Sequence, residues 1–272
     1  MRNAYAVGVL KALYDHAGGA DGWDALYAVS AGVYAATFFL AGQVREMVHT
    51  WESYVHGSQV IRYTNVLRRR PVADLDHLIQ LFQGPKSFLD LRRVFGASAA
   101  LTYVLTDART GRPVYVDAKC PEIFDLMRAA SALPPLYPPV RIRGNLYLDG
   151  GACDSLPVER ALLDGHREIT VIMTQPRRQR PPVRLPWLAS LGAWRIPGAR
   201  RALARSDRSY TRALRLIRRP PPGVEIRVFR PDTLDLHLLR RSQSAIAQAI
   251  QHGIRDGEKG LAASVGSSAL SR

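Results

Sequence analysis

Asp24-Ala25-Leu26-Tyr27-Ala28-Val29-Ser30-Ala31-Gly32-Val33-Tyr34-Ala35-Ala36-Thr37-Phe38-Phe39-Leu40 changes character at Ser30. The residues from Asp24 to Val29 have the length and apolar content of a buried parallel strand, and those from Val33 to Leu40 read as a buried helix. Ser30 falls at the junction. A tight strand-to-helix turn brings neighbouring backbone close, so the positions two before and two after the serine must be small. Ala28 and Gly32 meet that need, with Ala at the first position where Gly is usual. The following helix turns backbone N–H groups and its positive dipole end toward the serine, which favours an oxyanion in an acyl-transfer transition state. The same residues also fit a plain helix cap, and the pentapeptide alone does not choose between the two.

A second turn carries the partner. Leu146-Tyr147-Leu148 would bring Asp149 to the end of a strand, and Gly150-Gly151 would let the backbone turn away without side-chain crowding. A carboxylate of ordinary pKa, about 3.9, is a weak base toward a serine hydroxyl, so partial burial and a direct hydrogen bond must supply what a histidine supplies elsewhere. As a bare tripeptide, Asp-Gly-Gly is also an ordinary turn. A Ser-Asp-His triad is the enzymatic alternative, with His166, His237 or His252 as third member, although none of these sits in a convincing loop motif.

Four blocks in order decide between these readings: Met1 to Leu13, Ala28 to Gly32, Ser131-Ala132-Leu133-Pro134-Pro135-Leu136-Tyr137-Pro138-Pro139-Val140, and Asp149-Gly150-Gly151. In order and spacing they resemble the patatin-like phospholipase family, from the first residue to about Val171 and more loosely over the C-terminal third. The resemblance implies a three-layer α/β sandwich in one domain, with a mostly parallel central sheet and helices on both faces. It also implies Ser30 as nucleophile and Asp149 as its base, phospholipid or another acyl lipid as substrate, and no metal or organic cofactor. Ala31, Gly32, Gly150 and Gly151 fall in the substrate and oxyanion vicinity.

One departure follows from the same resemblance. The family's glycine-rich loop supplies oxyanion-hole N–H groups, and this chain starts inside that motif. Met1-Arg2 stand where its x-Arg lies, and Asn3 stands where its last Gly is usual. The true start is expected upstream. Arg2 then shapes that loop or meets anionic substrate. If the loop is truly lost, the chain becomes a non-catalytic lipid- or membrane-binding protein, because losing even one oxyanion donor costs about 100- to 1000-fold in turnover.

Outward from the two turns the elements alternate. Helices are expected over Tyr5 to Tyr14, Leu75 to Phe82, Pro121 to Ala130, Ala199 to Arg218 and Arg240 to Leu261; strands over Leu101 to Thr106, with Val114 to Val116 as its hairpin partner across Thr110-Gly111, and over Ile169 to Thr174 and Val224 to Phe229. This alternation favours a parallel sheet covered by helices, with sites at strand C-terminal ends. At 272 residues and 47% hydrophobic content, a single domain can bury a full core. Cys120 and Cys153 have no metal-ligand spacing, so a reduced, cytoplasmic setting is expected, with peripheral contact at the inner membrane face.

The formal charge of +15 is concentrated. Arg177 to Arg219 holds thirteen arginines, no lysine and one acid, Asp207. Its first part mixes Pro and Arg with Trp187 and Trp194, and its second part reads as helix. Arginine beside tryptophan suits an anionic membrane surface, so Trp187, Trp194, Arg200, Arg201 and Arg205 are the expected contacts of a lid or docking arm. A solvated arginine-rich face fits the same composition. No helix-turn-helix, zinc-finger or RNP-like signature accompanies the charge, which counts against nucleic acid.

Overall fold

The computed structural model describes residues 2–56, 59–68, 70–177, 196–234 and 242–269. Strand β2 (Ala100–Asp107) is the hub of the central sheet. Strand β1 (Ala25–Val29) lies parallel to it, with Ala25 opposite Ala100 and Val29 opposite Val104. Strand β3 (Pro113–Asp117) forms an antiparallel hairpin with it across residues 102–106. Strand β4 (Val140–Ile142) and strand β5 (Asn145–Asp149) form a second hairpin, and β5 pairs antiparallel to β2 with Asp149 opposite Leu105.

The register brings two chain ends together. Since β3 occupies one edge of β2, β5 must take the edge used by β1, and it stops at Leu105 where β1 stops at Val104. The two strands therefore run head-on along one edge of β2. Each must turn out of the sheet at the same point, one at Ser30 and the other after Asp149.

The α/β layering is as expected, whereas the pairing departs from a mostly parallel sheet. Only β1 with β2, and β6 (Glu168–Ile172) with β7 (Glu225–Phe229) in a separate two-stranded ribbon, are parallel; the three remaining pairings are antiparallel. The cause is local turn chemistry. Arg143 and Gly144 both have positive φ, 48° and 82°, the backbone of a two-residue hairpin turn, so β4 folds directly back into β5.

Helices cover both faces. Leu101, Tyr103 and Leu105 of β2 point into the main core, with Val33 to Leu40 of α2 (Gly32–Leu40) and Ile123, Leu126 and Met127 of α6 (Ile123–Ala130). Helices α3 (Val44–Tyr54), α4 (Leu75–Gln83) and α5 (Leu91–Gly96) close that side through Met47, Trp51, Ile79, Phe82 and Val94. On the opposite side, Ala108 and Leu148 pack on Ala199 of α8 (Pro197–Arg218). The ribbon is covered likewise. Val171 and Met173 meet Val158 of α7 (Val158–Leu163) and Tyr210, Leu214 and Ile217 of α8, while Phe229 meets α1 (Asn3–Ala17) and Leu261 of α9 (Gln243–Ala269).

Helices α1 and α9 touch backbone to backbone. A Cβ placed on Gly253 would lie 2.1 Å from the Tyr5 carbonyl oxygen, and one on Gly8 would lie 2.0 Å from that of Ile250. Such an approach excludes any larger residue at the crossing. It holds α1, whose first turn bears on the site, to the C-terminal helix.

Candidate active site

Ser30 sits between β1 and α2 with φ +53°. A non-glycine residue in the left-handed region is a local strain that the surroundings must hold in place. Here the Ser30 carbonyl accepts from Val33 N–H at 3.1 Å, fixing the first turn of α2. No acceptor is found for the Ala31 and Gly32 N–H groups among the described residues. They stand at the positive end of the helix beside the serine. The expected crowding at Gly32 is not seen, since a Cβ there would meet nothing within 4 Å. The chain is thus open at Gly32, whereas Ala28, two residues before the serine, is buried at 4% exposure.

Ser30 Oγ donates to Asp149 Oδ2 at 2.6 Å. The other carboxylate oxygen, Oδ1, accepts from Gly151 N–H at 2.7 Å, so both oxygens are held. Asp149 is 5% exposed. Burial pushes its carboxyl up to about 6, against the opposing pull of the Ser30 hydroxyl and the Gly151 amide. Gly150 is required sterically, because a Cβ there would come within 2.1 Å of the Val104 carbonyl oxygen, the β2 residue opposite Val29.

Several groups that sequence reasoning missed hold this turn. The fully buried Thr106 donates through Oγ1 to the Asp149 carbonyl at 2.8 Å and also lies 3.0 Å from Cys153 Sγ. The Asp149 amide donates to the Ala132 carbonyl at 2.9 Å, which ties the proline-rich block after α6 to the site. Downstream, the Tyr115 hydroxyl donates to Asp154 Oδ2 at 2.7 Å, and burial raises the Asp154 carboxyl. Asp154 is thus a buried anchor beyond the turn. The one available signal was the alternation of β2, which puts Thr106 with Thr102 and Val104 on the face opposite Leu101, Tyr103 and Leu105.

The remaining predicted residues scatter. Arg2 is exposed at the start of α1, and its neighbour Asn3 donates from Nδ2 to the Ala31 carbonyl at 3.0 Å, joining α1 to the serine turn. Asp107 caps the β2–β3 turn, accepting from Arg109 and Thr110. Neither His166 nor His252 touches the serine or the aspartate: His166 packs edge-on to Tyr27, and His252 lies against Tyr5 and Asp256. His237, Trp187 and Trp194 lie outside the described residues. Arg200, Arg201 and Arg205 are exposed on α8, with Arg201 Nη1 donating to the Arg109 carbonyl at 2.7 Å.

The chain is 24% identical over 214 residues to a protein of Escherichia coli (strain K12) named "Uncharacterized protein YjjU", an overlap covering 75% of this chain and 58% of that relative. The chain therefore spans less than two thirds of the curated relative it matches. Residues 196–264, which hold α8, β7 and most of α9, match a domain of unknown function (DUF6363). Residues 1–162, from the first helix through the Ser30 and Asp149 turns, match Patatin-like phospholipase, and the chain belongs to that family.

Proposed function

We propose that this protein is a serine acyl hydrolase that cleaves acyl esters of phospholipids or related lipids with a Ser30–Asp149 dyad. The observation that carries the reading is the 2.6 Å hydrogen bond from a strained serine to a buried carboxylate with no histidine in contact among the described residues. Ser30 Oγ attacks the ester carbonyl carbon as its proton passes to Asp149 Oδ2. The Ala31 and Gly32 N–H groups and the positive end of α2 stabilise the oxyanion. Collapse expels the alcohol, which takes the proton from Asp149. Water then loses a proton to Asp149 and attacks the acyl-serine, releasing the fatty acid and restoring the Ser30 hydroxyl. The elevated carboxyl pKa makes Asp149 a better proton acceptor than a solvated aspartate, yet leaves it ionised at neutral pH.

Hydrolysis of p-nitrophenyl butyrate tests the reading. Ser30→Ala and Asp149→Asn should each lower turnover by about 100-fold or more, and the acid limb of kcat/KM should lie near pH 6. Turnover that survives Ser30→Ala would overturn it.

A further inference from the structure

Helix α8 carries arginines at 201, 205, 208, 212 and 215, a spacing of four, three, four and three residues. At 3.6 residues per turn these side chains form one stripe, about 21 Å long from end to end. All five are exposed. Two have partners: Arg201 on the Arg109 carbonyl and Arg212 on Glu159 at 3.0 Å. Arg205, Arg208 and Arg215 have no ion-pair partner among the described residues. The only acid between Pro197 and Arg218 is Asp207. Several like charges held along one face of a packed helix repel one another, and an anionic surface relieves that repulsion.

The helix is also fixed to the site. Its inner face places Ala202 against Ala152 and Cys153, the residues that follow the Asp149 turn. Its first turn is tied to the end of β2, where Gly198 N–H donates to the Ala108 carbonyl at 2.9 Å. Val29, the residue before Ser30, pairs with Val104 of the same strand, four residues before Ala108.

We propose that the outer face of α8 docks the protein on an anionic lipid surface, with the arginine stripe lying along the headgroups and the Asp149 turn packed behind the same helix. This deepens the acyl-lipid reading and rests on it for the choice of lipid over other polyanions. Each basic side chain near an anionic leaflet contributes about fivefold in partition. Removing three predicts a loss of about 100-fold, and reversing their charge a larger one.

The test is co-sedimentation of the full chain carrying Ser30→Ala with vesicles of equimolar phosphatidylserine and phosphatidylcholine, against pure phosphatidylcholine vesicles. The parent should bind only the anionic vesicles and release as salt rises. Adding Arg205→Glu, Arg208→Glu and Arg215→Glu should abolish binding, while lysine at the same three positions should retain it. Should the reversed variant lose its melting transition, glutamine at the three positions is read in its place. Undiminished binding by the reversed or glutamine variant overturns the assignment. So does salt-sensitive binding to duplex DNA without response to vesicles. Because binding is read on an inactive serine variant, it stands or falls separately from hydrolysis.

Discussion

Asp149→Asn separates the stability of this fold from its chemistry. Burial raises the Asp149 carboxyl from 3.8 to about 6. The unfolded chain therefore gives up this proton at lower pH than the native state does, and stability falls as pH rises from about 4 through 6. At about 1.4 kcal/mol per unit, the ionised aspartate costs the native state about 3 kcal/mol at pH 7 relative to its protonated form. Asparagine keeps the shape without the charge. Its Oδ1 can accept from Gly151 N–H and its Nδ2 can donate to Ser30 Oγ, the two contacts the carboxylate makes now. Urea unfolding should show the variant gaining on the parent by about 3 kcal/mol between pH 4 and pH 7.5, with ester hydrolysis lost throughout. At about 2 °C per kcal/mol the same change raises the melting temperature by roughly 6 °C at the upper pH. A difference between the two proteins that stays constant with pH would refute the claim that the aspartate is held against a desolvation cost. So would a parent whose stability rises across this window by more than its other carboxylates explain.

Three further perturbations probe separate links. Gly32→Val adds bulk where nothing lies within 4 Å, so the melting temperature should hold while kcat/KM for a long-chain ester falls at least about tenfold; unchanged kinetics would mean the open space is not on the substrate's path. Gly253→Leu drives a side chain into the Tyr5 carbonyl and should destabilise the fold by about 3 kcal/mol or more, seen as a lower urea midpoint. Tyr115→Phe deprives the buried Asp154 carboxylate of one donor and should cost about 1–3 kcal/mol, measured by urea unfolding at pH 8, with the loss shrinking as pH falls and the raised carboxyl takes up its proton.

The two chemical turns were legible because each combines a strand end, a functional side chain and small residues whose absence of bulk has a cause. Gly150 shows that cause directly, in the 2.1 Å a Cβ would leave to the Val104 carbonyl. Six helices and most strands were legible from periodicity, within a few residues at their ends except that α9 runs on from Leu261 to Ala269, whereas α3, α5 and α7 were not read. The β2–β3 hairpin was read, whereas the antiparallel β4–β5 hairpin on the other edge of β2 was not. Its signal was the alternation of Val140-Arg141-Ile142 and Asn145-Leu146-Tyr147 about Arg143-Gly144, a weak turn pair beside the usual Asn-Gly. Thr106 and Asp154 escaped for a different reason. Their roles depend on what the fold packs against a strand face, and no spacing along the chain encodes the distance from Tyr115 to Asp154.

The head-on meeting of β1 and β5 explains why strain, burial and chemistry coincide here. A strand ending in open loop could relax its last residue into solvent. Two strands ending against each other on one edge of β2 cannot, because the neighbouring edge is already hydrogen-bonded at Val104 and at Leu105. The serine is therefore forced into the left-handed region as its chain leaves the sheet, and the aspartate loses its water as its own chain leaves beside it. Each distortion alone would be a defect that selection for stability removes. Together they put a hydroxyl 2.6 Å from a carboxylate with an elevated pKa, at the positive end of a helix. The supports lie outside the site: Thr106 and Tyr115 beneath and beyond the aspartate turn, Asn3 on the serine turn, and the α1–α9 crossing that fixes Asn3. Weakening that crossing, as in Gly253→Leu, should lower ester hydrolysis at temperatures where the chain is still folded, because the serine turn loses its brace before the sheet loses its core.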